Sequence, residues 1–265
     1  MNYILIFFIS IFTSAASALV GLGGGVLLIP FLILIFDLPI KYVAGTMLLA
    51  MVPYTAVATW GNVINEFVNF RIGIVMETGA VAGVLIGALF TGIFPDFLLK
   101  IIFLLIVFYL MLTLKIPTNS PYNYIAKGFK KINFIPPFIT CKTANGARCS
   151  IPSLIFLGII AGFFSGLLGI GGGFLNTPVL IVGVLLPAKV AVGTSIFMIL
   201  ITSIFGAVEH AYLNHVDYLL AAIIAAGMVI GAFTGTYILR NIEEHKIKNF
   251  LFVVMFIAAI MTLFR

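Results

Sequence analysis

Two runs of three glycines carry the clearest chemical signal in the sequence. They stand in the apolar stretches 20–26 and 168–174. Each glycine lowers helix propensity by about 1 kcal/mol relative to alanine, and a broken membrane helix leaves backbone amides unpaired. Unpaired amides at a helix start, with the positive end of the helix dipole, bind anions. The sequence therefore predicts an anion site at Gly23, Gly24, Gly25, Gly171, Gly172 and Gly173.

Hydroxyl and amide side chains near these runs are candidates to complete the site without adding charge. Thr46 and Thr194 each follow a glycine early in the next apolar segment. The full predicted set of further substrate contacts is Ser17, Thr46, Ser165, Asn176, Thr177, Thr194 and Ser195. Two plainer alternatives remain open. Glycine runs also allow close helix packing, and a serine or threonine often bonds a carbonyl of its own helix.

Ionisable residues near the apolar segments suggest entry and coupling roles. Lys41 and Lys189 occupy matching positions and are predicted to guide or gate anions, or else to snorkel to lipid headgroups. Glu77 lies inside an apolar segment, where a charge is usually functional, although a pair with Arg71 at the membrane edge is the plainer account. His210 falls in a histidine-containing stretch that we place in an external loop.

No enzyme, metal site or cofactor is predicted. The histidine stretch lacks the regular ligand spacing of a metal site. The sequence holds no Ser-His-Asp set, phosphate-binding loop or dinucleotide fingerprint.

Composition places the chain in a membrane. Hydrophobic residues make up 63% of it, charged residues 8%, and the mean hydropathy is +1.27; globular proteins carry about a quarter charged residues. Long apolar runs without period-two alternation favour helices over a barrel. The net charge of +6 is concentrated between residues 115 and 148, which is a signal for a cytoplasmic loop and not for nucleic-acid binding.

The chain is internally duplicated at an offset of 148 residues, without gaps. A duplication with glycine- and proline-interrupted segments in matching places is typical of secondary transporters. The matching pairs are Ser17 with Ser165, Pro30 with Pro178, Pro39 with Pro187, Lys41 with Lys189, Gly45-Thr46 with Gly193-Thr194, and Gly79, Gly83 and Gly87 with Gly227, Gly231 and Gly235.

Segment lengths and charge predict an all-α polytopic membrane protein with two inverted-topology repeats. Each repeat, 1–115 and 153–265, holds a glycine-interrupted helical hairpin and three transmembrane helices. The basic linker 116–152 and the basic stretch 240–248 are both assigned to the cytoplasm, which gives each repeat an odd number of crossings and places both termini outside. One miscounted segment would convert the inverted repeats to parallel ones.

The linker is the one extended polar region. Asn145-Gly146 predicts a small β-hairpin there, with a disordered connector as the alternative. Cys141 and Cys149 are predicted to be free thiols in a reducing cytoplasm, ahead of a disulfide or a metal site.

These motifs resemble the TauE/SafE family of membrane permeases. Each half opens on Ser-x3-Gly-x-Gly-Gly-Gly, followed by Pro and then by Gly-Thr. The resemblance implies a multi-pass cell-membrane protein that carries a small oxyanion, with sulfite, sulfoacetate and related sulfonates as the expected substrates. Export is expected, and import of another small anion or sulfur compound is the alternative. A membrane-embedded enzyme or scaffold is the alternative from a different functional class. A homodimer is expected because such membrane proteins commonly form one.

Membrane voltage alone is sufficient to drive export. A dianion leaving a cell at 100 mV gains about 4.6 kcal/mol, at about 2.3 kcal/mol per charge. A uniporter would therefore suffice. Proton coupling through Glu77 or His210 stays open.

Overall fold

The computed structural model describes residues 2–36, 40–91, 96–115, 131, 133–140, 148–168, 173–212 and 214–263. Within these ranges the chain forms helices and one short pair of strands. In chain order they are α1 Tyr3–Val20, α2 Gly25–Phe36, α3 Ile40–Ile64, α4 Phe70–Thr91, α5 Asp96–Lys115, β1 Phe138–Thr140, β2 Arg148–Ser150, α6 Ile151–Leu168, α7 Gly173–Val182, α8 Ala188–Tyr212, α9 Tyr218–Asn241 and α10 Glu244–Leu263.

The helices have the length and surface of a membrane domain. Among the described residues, four are long and apolar enough to cross a bilayer: Tyr3–Val20, Tyr42–Ile64, Ala188–Tyr212 and Tyr218–Asn241. Large apolar side chains such as Phe12 and Phe205 are 74% and 68% exposed, as expected for residues that face lipid. The prediction of a polytopic helical membrane protein is confirmed.

Glycines bring helices of opposite halves into backbone contact. A methyl group on Gly79 in α4 would lie 2.2 Å from the carbonyl oxygen of Ile155 in α6. One on Gly231 in α9 would lie 2.5 Å from the carbonyl oxygen of Ile11 in α1. The pairs α4–α6 and α1–α9 occupy exchanged positions of the repeat, so each half packs its fourth helix against the first helix of the other. Small residues therefore interlock the halves, as is common in membranes.

Helices α3 and α8, which are counterparts in the two halves, run in opposite directions where they pack. Near the start of α3, Gly45 lies against His210 near the end of α8. Three residues later in α3, Leu48 lies against Gly206, which precedes His210. Contacts that advance along one helix while receding along the other define an antiparallel pair.

The linker contains a two-stranded antiparallel sheet, with Phe138 opposite Ser150 and Thr140 opposite Arg148. The predicted turn at Asn145-Gly146 lies outside the described residues. Cys149 is disulfide-bonded, so the expectation of free thiols was wrong. The other cysteine of the chain, Cys141, also lies outside the described residues. Since spacing alone left the redox state undecided, the expectation had rested on the compartment assigned to the linker.

Candidate anion site

The first glycine run forms a buried break between α1 and α2. Helix α1 ends at Val20, and Gly21 caps it in the left-handed conformation, with φ of 74°. The Gly21 amide donates to the Ser17 carbonyl oxygen at 2.8 Å. Gly23 and Gly24 also have φ of 79°, which side-chain-bearing residues rarely adopt. The glycines are therefore required by the backbone of the turn.

The start of α2 presents amides that have no helical partner. The first helical bond recorded at this end runs from the Leu28 amide to the Gly24 carbonyl oxygen, at 3.3 Å. The amides of Gly25, Val26 and Leu27 precede that bond and have no backbone partner among the described residues. Residues 21–28 are all buried. A buried helix start of this kind is suited to hold an anion.

Two hydroxyls from the second half fix the turn in place. Thr177 in α7 and Ser195 in α8 both donate to the Gly21 carbonyl oxygen, at 2.9 and 2.8 Å. Each hydroxyl has a single proton, so in this conformation neither offers that proton to an anion. These two predicted substrate contacts therefore hold the glycine turn.

Two other predicted contacts carry buried polar atoms without a hydrogen-bond partner. Ser17, whose carbonyl caps the turn, is fully buried, and its hydroxyl is unpaired. Asn176, the neighbour of Thr177 in α7, is 1% exposed, and both polar atoms of its amide are unpaired. An unpaired buried polar group costs about 1–3 kcal/mol. Groups left in that state beside a helix break are candidates to bind a ligand.

Apolar side chains close over the turn. A methyl group on Gly23 would lie 2.9 Å from the Met51 methyl, and one on Gly24 would lie 2.3 Å from the Met228 methyl. Tyr54 approaches the same point on Gly24 to 3.8 Å. Methionine side chains are unbranched and adaptable, so they can cover the turn closely without fixing it.

Thr46 and Thr194 lie at a different place, in symmetric loop contacts. The hydroxyl oxygen of Thr194 accepts from the Asn69 amide at 2.9 Å, and that of Thr46 accepts from the Asp217 amide at 3.0 Å. Asn69 and Asp217 in turn accept from backbone amides in the first turn of α4 and α9. Each Gly-Thr motif thus anchors the helix start that belongs to the opposite half. Sequence reasoning missed Asn69 and Asp217, although they stand at the same 148-residue offset.

The second glycine segment is only partly described. Gly171 and Gly172 lie outside the described residues, and Gly173 begins α7. Ser165 lies in α6 and Lys41 in α3, with side chains outside the described set. The Lys189 ammonium donates to the Arg240 carbonyl oxygen at 2.9 Å and lies 5.5 Å from the centre of the Phe67 ring. Lys189 therefore ties the start of α8 to the end of α9.

Two expectations about ionisable residues were wrong. Glu77 is 4% exposed and accepts a hydrogen bond from Thr202, whereas Arg71 is exposed and makes no ion pair with it. His210 lies in the last turns of α8, half-buried beside His215, and not in a loop. Helix α8 continues beyond the end of the apolar segment, which explains why His210 was expected in a loop. Among the described residues, no group of three His, Cys, Asp or Glu is arranged to hold a metal ion.

The fold and the buried break define a class: membrane transporters built from two interlocked helical repeats. The chain belongs to the family described as Sulfite exporter TauE/SafE, whose family model matches residues 6–262. The family suggested by the repeated glycine motifs is thereby confirmed, and so is a multi-pass location in the cell membrane. No solved structure matches the chain.

Relatives are named as transporters and not as enzymes. The chain is 28% identical to the "Probable membrane transporter protein YunE" of Bacillus subtilis, over 96% of this chain and 95% of that protein. It is 24% identical to YdhB of the same organism, over 92% and 94%. A protein of Methanocaldococcus jannaschii with the same description is 32% identical over 41% of this chain and 42% of its own.

Proposed function

We propose that the protein exports a small sulfur oxyanion, such as sulfite or an organosulfonate like sulfoacetate, by alternating access around the glycine turn. The observation that carries the proposal is the buried break at Gly21–Gly24, which leads into three unpaired amides of α2. The description of the family as sulfite exporters supports a sulfur oxyanion as the substrate.

The chemistry around the turn suits a small anion that must also be released. The available donors are amides of Gly25, Val26 and Leu27, with the unpaired Ser17 hydroxyl and Asn176 amide as further contacts. All are neutral. They replace the hydration shell of an anion without a fixed counter-charge that would retain it, as conduction and transport require.

The second glycine run is proposed to complete the site from the other half. Helix α7 begins at Gly173, and four residues later Thr177 bonds to the Gly21 carbonyl. The start of α7 is thereby brought to the first glycine turn. Gly171 and Gly172 are proposed to supply amides from this side.

Inverted repeats supply the movement in this proposal. The antiparallel packing of α3 against α8, which are counterparts in the two halves, supports inversion because parallel repeats would place counterparts in the same direction. In an inverted pair the two halves exchange conformations to open each side in turn. The apolar cover of Met51 and Met228 closes the site between these states.

Export follows from the driving force. The negative interior expels a dianion with about 4.6 kcal/mol at 100 mV, which supports a gradient of about a thousandfold. The alternative is an importer of another small anion or sulfur compound. Vesicles with the protein in one orientation distinguish export from import. At an inside-negative potential, only an exporter should release anion from the side that corresponds to the cytoplasm.

The test is counterflow in proteoliposomes. Vesicles are loaded with unlabelled sulfite or sulfoacetate, and entry of the labelled anion is measured against vesicles without protein. Saturable, protein-dependent exchange of either anion supports the proposal. If neither anion is exchanged but an unrelated anion such as formate is, the protein transports the alternative substrate class.

A further inference from the structure

Glu77 is a buried carboxyl that anion binding leaves unexplained. It lies in α4, seven residues after Phe70, which places it about 10 Å into the helix. The residue is 4% exposed, and its Oε2 atom has no hydrogen-bond partner. An unpaired buried carboxylate is far more costly than a protonated carboxyl at the same place. Position 225, its counterpart in the second half, is Ala225, so the repeat scaffold itself does not require a carboxyl.

The partner of Glu77 can serve both protonation states. The Thr202 hydroxyl lies within hydrogen-bonding distance of Glu77 Oε1 and 3.1 Å from the Met198 carbonyl oxygen. A hydroxyl has one proton, so it can donate to only one of these acceptors at a time. Against a carboxylate, Thr202 donates to Oε1. Against a protonated carboxyl, Thr202 accepts from Glu77 and donates to Met198.

Among the described residues, fixed charges are distant from this pair. Helix α4, which carries Glu77, packs against α6 and α8, and α6 carries no ionisable side chain. On α8 the ionisable residues are Lys189, about 20 Å along the helix from Thr202, and Glu209 and His210, about 10 Å beyond it. On α4 itself, Arg71 is exposed six residues earlier. Within the part of the chain that the structure describes, a proton is therefore the available counter-charge for Glu77.

One helix joins this carboxyl to the anion site. Ser195, which donates to the Gly21 carbonyl, and Thr202 are seven residues apart in α8. Seven residues are close to two full turns, so both side chains project from the same face. We infer that the Glu77–Thr202 pair binds the coupling proton, and that α8 links protonation of Glu77 to the anion turn. The inference rests on the proposed function and names its coupling ion; a dianion carried with one proton keeps one net negative charge, so a potential of 100 mV still expels it with about 2.3 kcal/mol.

The test separates exchange from proton-driven accumulation. Proteoliposomes are clamped at zero potential with potassium and valinomycin, and sulfoacetate or sulfite is followed, whichever shows the faster counterflow. A gradient of one pH unit should drive the wild-type protein to an anion ratio of up to about tenfold for one proton per anion. Glu77→Gln, which imitates the protonated carboxyl, should keep counterflow and lose that accumulation. Glu66→Gln changes an exposed glutamate before α4 and serves as the matched control.

Several outcomes overturn the inference. The inference is wrong if the wild-type protein shows counterflow without pH-driven accumulation of the anion. It is also wrong if Glu77→Gln still accumulates the anion. A folded Glu77→Gln protein without counterflow also overturns the inference, because a neutral isostere should still exchange. Thr202→Val gives a second readout: it removes the donor to the carboxylate, so the pH profile of accumulation should move to the alkaline side. An unmoved profile contradicts the role of Thr202, and absent wild-type counterflow overturns the proposed function itself.

Discussion

Replacing Asn176 by leucine should make the protein more stable and a poorer transporter. Asn176 is 1% exposed, and both amide atoms are unpaired. Leucine has nearly the same shape and needs no hydrogen bonds, so the change removes a penalty of about 1–3 kcal/mol. If the amide binds a substrate anion, the variant loses a hydrogen bond to a charged group worth about 1.5–3 kcal/mol. Affinity should then fall by about 10- to 100-fold.

A matched control exists in the same chain. Asn62 in α3 is also fully buried, with both amide atoms unpaired. It lies eight residues beyond Tyr54, about 12 Å along the helix from the cover of the glycine turn. Asn62→Leu should raise the melting temperature in detergent and leave the KM of counterflow unchanged. The reasoning is refuted if Asn176→Leu keeps the wild-type KM, or if both variants weaken transport equally.

Three further outcomes test the scaffold. Thr46→Val and Thr194→Val each remove the hydroxyl that accepts from a loop amide, so each should lower the free energy of unfolding by about 1–3 kcal/mol in thermal melting. The KM measured by counterflow should stay unchanged. A raised KM would indicate that these hydroxyls contact the substrate. Gly231→Leu should abolish recovery of folded protein in size-exclusion chromatography, because its Cβ would lie 2.5 Å from the backbone of Ile11. In the control Gly206→Ala, the new Cβ would lie 2.9 Å from the tip of the Leu48 side chain only, so this variant should fold. Equal recovery of the two variants would contradict the backbone contact at Gly231. In a variant without Cys141 and Cys149, cysteines at Lys41 and Lys189 should react with an impermeant maleimide from opposite sides of the membrane; labelling from one side would exclude inverted repeats.

The repeat made much of the architecture predictable from the sequence. The matched glycines at 79 and 83 and at 227 and 231 mark the helices that interlock the halves. The three-glycine run marks the helix break because glycine adopts the consecutive positive φ angles found there without steric cost. These features are local or recur at a fixed offset, so one sequence contains the signal.

Long-range hydrogen bonds were not predictable in the same way. The sequence identified Thr177 and Ser195 as polar residues near the site, but their protons go to a carbonyl more than 150 positions earlier. Likewise, Glu77 was compared with Arg71 nearby, while its partner Thr202 is 125 residues away. Which hydroxyl remains available to a ligand depends on such pairings, and residue type alone does not determine them.

The two halves are equivalent as scaffold and different in chemistry. Thr46 and Thr194 make the same contact in each half. Three of the polar residues at the turn have no such counterparts. Subtracting the 148-residue offset from Asn176, Thr177 and Ser195 gives the apolar residues Leu28, Ile29 and Met47.

The two halves contribute unequally to the proposed anion site. An anion in a chemically symmetric site would meet equal donors from both glycine segments. Here Thr177 and Ser195 of the second half are committed to the Gly21 carbonyl, while their counterparts Ile29 and Met47 have no hydroxyl. The first turn is therefore held by hydroxyls of the second half, and the first half has no equivalent hydroxyls at the matching positions 29 and 47.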